Sequence, residues 1–291
     1  MENIQNNTSQ NNIHGVHPIK LGLVGKSLSH SLSPRIHSYL FEKLGISGIY
    51  EKYEVSENQV SGILPMMIRE NILGLNVTIP YKETLFHLVD ECDNHAKKIG
   101  AINTIKIKNG VSYGYNTDYL GVIHMFRNAN VPLQGKDIVI LGSGGSTKAL
   151  IYAFHLEDAG SITVVARNPE SSQALKQQFP FIELRNLNEL LRKPSEGDII
   201  INTTPVGMFP NVDESPVPES TLTNFKVAGD IVYNPLVTNF LTLAKKQNLT
   251  IVTGLSMLIN QAIASEEIWL EQKINHEISG EIERFLTECS I

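Results

Sequence analysis

Ile138-Val139-Ile140-Leu141-Gly142-Ser143-Gly144-Gly145-Ser146-Thr147, followed by the apolar helical pattern of residues 149–158, sets the fold class of this chain. Four apolar residues in an unbroken run suit a strand buried on both faces. The glycines allow a tight turn and a close backbone approach to an anion, while the helix that follows offers unpaired amides and the positive end of its dipole. Strand, glycine turn and helix, in that order, form the context that a dinucleotide-binding Rossmann unit requires. Thr147 replaces the third glycine of the fingerprint, so the loop alone divides about evenly between a nucleotide site and a plain tight turn. Its place directly after a buried strand favours the nucleotide site.

Outward from this loop, residues 161–166, 198–202 and 227–232 are further β-branched runs too apolar to alternate, with helical patterns between them. A doubly wound parallel sheet is the economical architecture. A linking helix over 119–130 and a loop over 131–137 precede it. The second strand of such a unit normally ends in an acid that binds the adenosine ribose and repels a 2′-phosphate. Here it ends in Arg167, whose guanidinium suits a phosphate, so NADP is favoured over NAD.

Before this half, short apolar runs at 19–24, 49–55 and 73–79 alternate with helices starting at Pro34 and near 59–70, which is again α/β material. Leu85, Leu88, Val89, Cys92, Ala96 and Ile99 predict one amphipathic helix ending at Gly100, with Cys92 on its buried stripe as a core thiol. Residues 101–107 and 111–115 flank Lys108-Asn109-Gly110 as a hairpin. Two helices, 256–273 and 277–288, close the chain.

With 291 residues, 42% of them hydrophobic and 19% charged, the chain has material for two ordinary cores, which excludes a peptide hormone, a disordered tail or a disulfide-stapled miniprotein. The net charge of -6 with no basic run argues against nucleic acid as a partner. No stretch approaches the ~20 apolar residues of a membrane span, so no membrane association is expected. Cys92 and Cys289 have no neighbour at metal or redox spacing, and the cytoplasm is the expected compartment. The Asn- and Gln-rich residues 1–17 lack the pattern of a signal peptide and read as a flexible arm.

Polar residues interrupt the apolar pattern at several element ends. Ser33 precedes Pro34 as the natural N-cap of a helix, but capping does not explain Ser31; two hydroxyls and free amides there suit a carboxylate. Asn76 and Thr78 share one face of an apolar strand that ends at Pro80 and Lys82, and such groups need partners. Asn103-Thr104 and Asn116-Thr117-Asp118 repeat the pattern, and an aspartate meeting Lys82 makes an ion pair able to handle a proton. Gln261 stands on a helical stripe with Met257, Ala264 and Ile268, where the period calls for an apolar residue. His87, Glu91 and His95, at i, i+4 and i+8, have metal-ligand spacing but lie opposite the apolar stripe of their predicted helix, so a solvated face is favoured.

In this order, Ser31-Leu32-Ser33-Pro34, Asn76-Val77-Thr78-Ile79-Pro80 with Lys82, Gly100-Ala101-Ile102-Asn103-Thr104, Asn116-Thr117-Asp118, Gly142-Ser143-Gly144-Gly145, the run Asn202 to Met208, Tyr233-Asn234-Pro235 and the run Gly254 to Gln261 closely resemble the shikimate dehydrogenase family. The resemblance covers nearly the whole chain after the arm. It implies NADP-dependent reversible reduction of 3-dehydroshikimate to shikimate, a step in aromatic amino-acid biosynthesis, with no metal. It also implies two domains: an α/β substrate domain over 18–118 completed by 254–291, and a Rossmann domain over 119–253.

Lys82 and Asp118 match the family's catalytic pair. Ser31, Ser33 and Tyr233 match residues that bind the substrate carboxylate, and Asn76, Thr78, Asn103 and Gln261 match those around the ring hydroxyls. Cofactor contacts are expected at Gly142, Ser143, Gly144, Gly145, Ser146, Arg167, Asn168, Thr203, Thr204, Val206, Gly254 and Met257. The chain departs from the family pattern at Tyr119, where glycine is usual, and at Glu266, where an aromatic residue is common; neither position has an expected role. Ala166 and Asn168 also differ from the usual neighbours of Arg167. Quinate as substrate, use of NAD, and a non-catalytic nucleotide-binding regulator remain as alternatives, the last opposed by the presence of both Lys82 and Asp118. The oligomeric state stays open, with a homodimer among the options.

Overall fold

Two six-stranded sheets organise the chain in the computed structural model, which describes residues 18–168, 172–192 and 197–288. The expected arm, residues 1–17, and Cys289 lie outside these. The first sheet is built from β1 (Ile19–Gly25), β2 (Gly48–Glu54), β3 (Gly74–Val77), β4 (Glu91–Cys92), β5 (Thr104–Lys108) and β6 (Val111–Tyr115), in the order β2-β1-β3-β5-β6-β4. β1 runs parallel to β2 and β3, whereas β5 is antiparallel to β3 and β6. Helix α1 (Ser33–Leu44) ends at Gly45, whose left-handed φ of 65° closes the helix as its lack of a Cβ permits. α2 (Ile63–Arg69), α3 (Lys82–Phe86) and α4 (Asn94–Ile99) complete this part, and α5 (Asp118–Asn128) leads out of it.

The second sheet contains β7 (Asp137–Leu141), β8 (Ser161–Ala166), β9 (Glu183–Asn186), β10 (Ile199–Asn202), β11 (Val227–Asp230) and β12 (Thr250–Val252). Its order is β12-β11-β10-β7-β8-β9 and all its pairings are parallel. The order in which strands are added therefore reverses between β7 and β10, the switch point at which doubly wound sheets bind ligands. The connecting helices are α6 (Gly145–Leu156), α7 (Gln173–Gln178), α8 (Leu187–Arg192), α9 (Glu219–Leu222) and α10 (Asn239–Lys246). Finally α11 (Gly254–Leu270) and α12 (Ile278–Glu288) return to α1, where Ile36, Leu40, Ile259, Ile263, Ile282 and Leu286 form one core.

The predicted helix over 85–99 does not form as one element. Asp90 accepts from the Ser112 N–H (2.8 Å) and hydroxyl (2.6 Å), pulling the chain into the short β4 beside β6. Asp93 then accepts from the Ala96 N–H at 2.8 Å and starts α4 afresh. Local side-chain-to-backbone bonds outcompete the helical period here. Cys92 consequently lies on a strand, half-buried against the core around Leu85 and Ile102. His87 lies in the turn after α3, Glu91 in β4 and His95 in α4, so their ladder does not exist.

The strand predicted over 73–79 is shorter, so Lys82 opens α3 instead of ending a strand. The helix predicted near 59–70 begins as a 3-10 turn at Glu57–Gly62 before α2. Ser33 is the first residue of α1 and not its cap: Leu32 takes the cap position, and the Ser33 N–H donates to Ser31 Oγ at 3.2 Å.

Candidate active site

The centre forms where α3, the end of β6 and α11 converge. Lys82 opens α3, and its Nζ donates to Asp118 Oδ2 at 2.5 Å. Only 14% of the lysine side chain and 7% of the aspartate side chain are exposed, so the pair is largely shielded from solvent screening. Asp118 starts α5 because the Asn116 side chain accepts its N–H at 3.0 Å and anchors itself on the Ala101 carbonyl. The other aspartate oxygen, Oδ1, accepts from Asn103 Nδ2 at 2.8 Å.

Asn103 is the hub of a buried amide network. Its Nδ2 also reaches Thr117 Oγ1 (2.9 Å) and Gln261 Oε1 (3.2 Å), while its Oδ1 accepts from the Thr117 N–H (2.7 Å) and Thr104 hydroxyl (3.0 Å). Ser265, one turn beyond Gln261 on α11, continues the network: its hydroxyl donates to the Gln261 carbonyl at 2.9 Å and accepts from Asn76 Nδ2 at 2.9 Å. Asn76, Asn103, Asp118 and Gln261 thus join in one connected set, and Lys82 completes it. Thr78 sits half-buried just beyond β3, its N–H bonded to the Val24 carbonyl at 3.0 Å. Ser31 and Ser33 stand together at the start of α1. Tyr233 packs against the apolar cluster of Ile36, Leu40 and Leu255, and burial pushes its phenol pKa up; among the described residues it forms no hydrogen bond with either serine.

The glycine loop lies at the switch point. Gly142 has a φ of 113°, and a Cβ there would meet Thr203 Oγ1 at 2.7 Å, so both backbone and space demand glycine. Thr147, where the fingerprint has its third glycine, is fully buried and bonds Thr203 Oγ1 at 2.9 Å. Thr203 in turn donates to the Leu141 carbonyl at 2.8 Å, which ties the loop to the end of β10. Gly144 caps α6 with no side chain, and a Cβ there would meet nothing within 4 Å. Open space at Gly144, directly before the first turn of α6, leaves room for a pyrophosphate at the helix start. Ser143 lies within the same loop.

Val165, two residues before Arg167, accepts the Gly142 N–H at 2.8 Å. Arg167 and Asn168, both exposed, accordingly emerge at the same sheet edge as the loop. Thr204 accepts the Val206 N–H at 3.3 Å and donates to Asn202 Oδ1 at 2.7 Å, so these residues shape a rigid turn after β10. Asn202 also donates to Asp230, whose carboxyl is pushed up to about 6 by burial against the opposing pull of Val232, Thr238 and Asn202. Gly254 has a packing reason: a Cβ would lie 2.4 Å from the Ile231 carbonyl oxygen. Met257 is buried where α11 crosses Gly121 of α5.

The two halves meet around this centre. Lys148 on α6 pairs with Glu83, the neighbour of Lys82, at 2.9 Å, and His30 lies 5.4 Å from the ring of Phe209. The sequence reasoning missed Glu83, Lys148, His30, Phe209, Ser265 and Tyr50. The run Asn202 to Met208 pointed to the neighbourhood of Phe209, but no spacing rule pairs residues across two domains.

A doubly wound nucleotide-binding sheet set against a shielded lysine–aspartate pair defines a dinucleotide-dependent dehydrogenase. Residues 23–105 match the shikimate dehydrogenase substrate binding domain, and residues 126–209 match the shikimate / quinate 5-dehydrogenase family. The chain belongs to the shikimate dehydrogenase family. A shikimate dehydrogenase (NADP(+)) of Clostridium beijerinckii is 40% identical over 260 residues, 89% of this chain and 94% of the relative. The crystal structure of shikimate dehydrogenase 1 from Peptoclostridium difficile superposes with a TM-score of 0.86 at 41% identity, covering 92% of this chain and 97% of that one. A shikimate 5-dehydrogenase from Thermus thermophilus, solved in complex with NADP(H) and shikimate, gives a TM-score of 0.82 at 29% identity and covers 92% and 99%.

Proposed function

We propose that this protein catalyses the reversible NADPH-dependent reduction of 3-dehydroshikimate to shikimate, as a cytoplasmic enzyme of aromatic amino-acid biosynthesis. The observation that carries the reading is the Lys82–Asp118 pair at 2.5 Å, beside the cross-domain contact between Glu83 and Lys148 on the nucleotide-binding helix. Bound NADPH supplies the hydride. The Lys82 ammonium stabilises the oxyanion that develops at the ketone oxygen and hands it a proton. Asp118 orients that ammonium, and Asn103 and Gln261 hold the ring hydroxyls in register. Asn76 and Thr78 flank the same ring, while Ser31, Ser33 and Tyr233 receive the carboxylate.

Gly142, Ser143, Gly144, Gly145 and Ser146 hold the pyrophosphate, and Arg167 with Asn168 holds the adenosine 2′-phosphate. Thr203, Thr204, Val206, Gly254 and Met257 border the cofactor's remaining length. In this assignment residues 18–118 with 254–291 form the substrate domain and 119–253 the cofactor domain. Among the described residues no helix is long and apolar enough to cross a membrane. Initial rates with shikimate and with quinate, each with NADP and NAD, test the reading. Shikimate with NADP should give the highest kcat/KM; absence of turnover with shikimate refutes it.

A further inference from the structure

Behind the substrate side of the site lies a buried histidine–glutamate contact with no part in the chemistry above. His37 on α1 and Glu266 on α11 are both fully buried, with Nδ1 and Oε1 2.7 Å apart. Among the described residues, His37 Nε2 and Glu266 Oε2 have no hydrogen-bond partner, so this bond is the sole polar tie of both side chains. Burying such groups is costly, and loss of either partner would leave the other unsatisfied. The His37 ring lies flat on Tyr50 of β2, with centroids 4.1 Å apart and planes 6° apart.

The Tyr50 hydroxyl points into the polar network. It donates to Asn76 Oδ1 at 2.7 Å. Burial first, and then the nearby Glu266 charge, hold the phenol pKa well above its ordinary value, while the Ser33 side chain acts on the same phenol in the opposite sense. Tyr50 therefore touches a residue expected at the substrate ring. An amide has two ends of nearly equal shape but opposite hydrogen-bonding sense. The Asn103 carbonyl, which can only accept, lies 3.3 Å from Asn76 Nδ2 beside Ser265 Oγ at 2.9 Å, whereas Tyr50 donates at the Oδ1 end. Together they fix which way the Asn76 amide faces.

We infer that Tyr50, held in place by the His37–Glu266 pair, is a substrate-positioning residue that sets the orientation of Asn76. This rests on the proposed activity, since it assumes that Asn76 meets shikimate. Glu266 acts through His37 and the stacked ring, and Tyr50 acts through its hydroxyl. Positioning of this kind moves substrate affinity more than the chemical step.

The test is a double-mutant cycle of Tyr50→Phe and Glu266→Gln, with kcat and KM for shikimate, Kd for NADP, and Tm measured for each protein. Tyr50→Phe should raise the shikimate KM about fivefold to tenfold, the loss of one hydrogen bond, with kcat within about twofold and NADP affinity unchanged. Glu266→Gln should raise KM in the same direction by about threefold, yet add almost nothing in the Tyr50→Phe background, because coupled residues are not additive. An unchanged KM in Tyr50→Phe overturns the inference, as does an equal effect of Glu266→Gln in both backgrounds. If Glu266→Gln fails to fold, the Tyr50→Phe result alone decides the role of the hydroxyl. Absence of shikimate turnover by the unsubstituted protein refutes the proposed activity, and this inference with it.

Discussion

Replacing Asp118 by asparagine keeps the shape of the side chain, removes its charge and turns one acceptor into a donor. In the folded protein Oδ2 accepts from Lys82 Nζ at 2.5 Å and Oδ1 accepts from Asn103 Nδ2 at 2.8 Å. An asparagine has one acceptor and one donor end, so whichever way it turns, its NH2 faces another donor. If the amide oxygen turns to Lys82, the NH2 confronts Asn103; if it turns to Asn103, the NH2 confronts the ammonium. A lost hydrogen bond to a charged group is worth about 1.5 to 3 kcal/mol, and removal of one preorganised electrostatic partner at a reacting centre typically costs about 2.7 to 4 kcal/mol. About 3 kcal/mol is near a hundredfold in rate.

Asp118→Asn should therefore lower kcat by roughly 10² with KM changed by less than about threefold, since alignment matters most as the proton moves. Lys82→Ala should lose about 10² or more, and the double variant should be no worse than the more damaged single one, because the two act as a unit. Steady-state kinetics with NADP titrated separately give all three numbers. A pure KM effect in Asp118→Asn, or multiplicative losses in the double variant, would refute the pairing as the source of catalysis.

Three further outcomes follow from other parts of the molecule. Arg167→Ala should raise the KM for NADP about tenfold or more while weak use of NAD stays nearly constant, because the forked contact exists only with a 2′-phosphate; equal losses with both cofactors would show that Arg167 serves adenine or folding instead. Ser31 Oγ accepts the Ser33 N–H, so Ser31→Ala should lower Tm modestly, by a few tenths to about 1 kcal/mol of stability, in addition to weakening shikimate, whereas Ser33→Ala should act mainly on KM. Unchanged shikimate kinetics in Ser31→Ala would remove that residue from the carboxylate site. His124 is held neutral, its pKa pushed down from 6.5 to about 4 by burial first, then by the stacked His276 and by Arg127. The unfolded chain takes up a proton below about 6.5 that the folded chain resists, so His124 weakens stability progressively as pH falls from about 6.5 toward about 4. His124→Phe should flatten the fall of Tm over that window; a Tm profile parallel to that of the unsubstituted protein would contradict the assignment.

The interior of the second sheet was legible because strands buried on both faces need no alternation. The run expected over 161–166 is β8 (Ser161–Ala166), and Ile138 to Leu141 forms all but the first residue of β7. The edges were not. β9 (Glu183–Asn186) is polar and partly exposed, and β12 (Thr250–Val252) has three residues, so neither offers a periodic signal and both exist through pairing with a neighbour. The failed helix over 85–99 has the opposite cause. Its apolar spacing was genuine, but Asp90 and Asp93 each captured backbone amides, and Asp90 did so from Ser112, twenty-two residues away. A short-range period carries no information about such a partner.

The same distinction separates the legible part of the site from the rest. Asn76, Asn103, Asp118 and Gln261 announced themselves as polar residues where the pattern called for apolar ones, and such residues must find partners. Ser265 gave no such signal, because a serine beside two glutamates reads as a solvated face, and Glu266 stood out only as a departure from the family's usual aromatic residue, with no partner indicated. In the fold α11 has no such face along most of its length: Asn260, Gln261, Ser265 and Glu266 are all buried, since α5 covers one side of the helix and α1 with α12 covers another. A helix buried on nearly all sides must satisfy its polar side chains internally. Gln261 does so through Asn103 and Ser265 through Asn76, both within the centre, while Glu266 turns away to His37. Once α11 is known to be enclosed, its polar residues become the shortest list of candidates for the substrate site and its support. That knowledge comes from the packing of four helices and not from the order of residues along one.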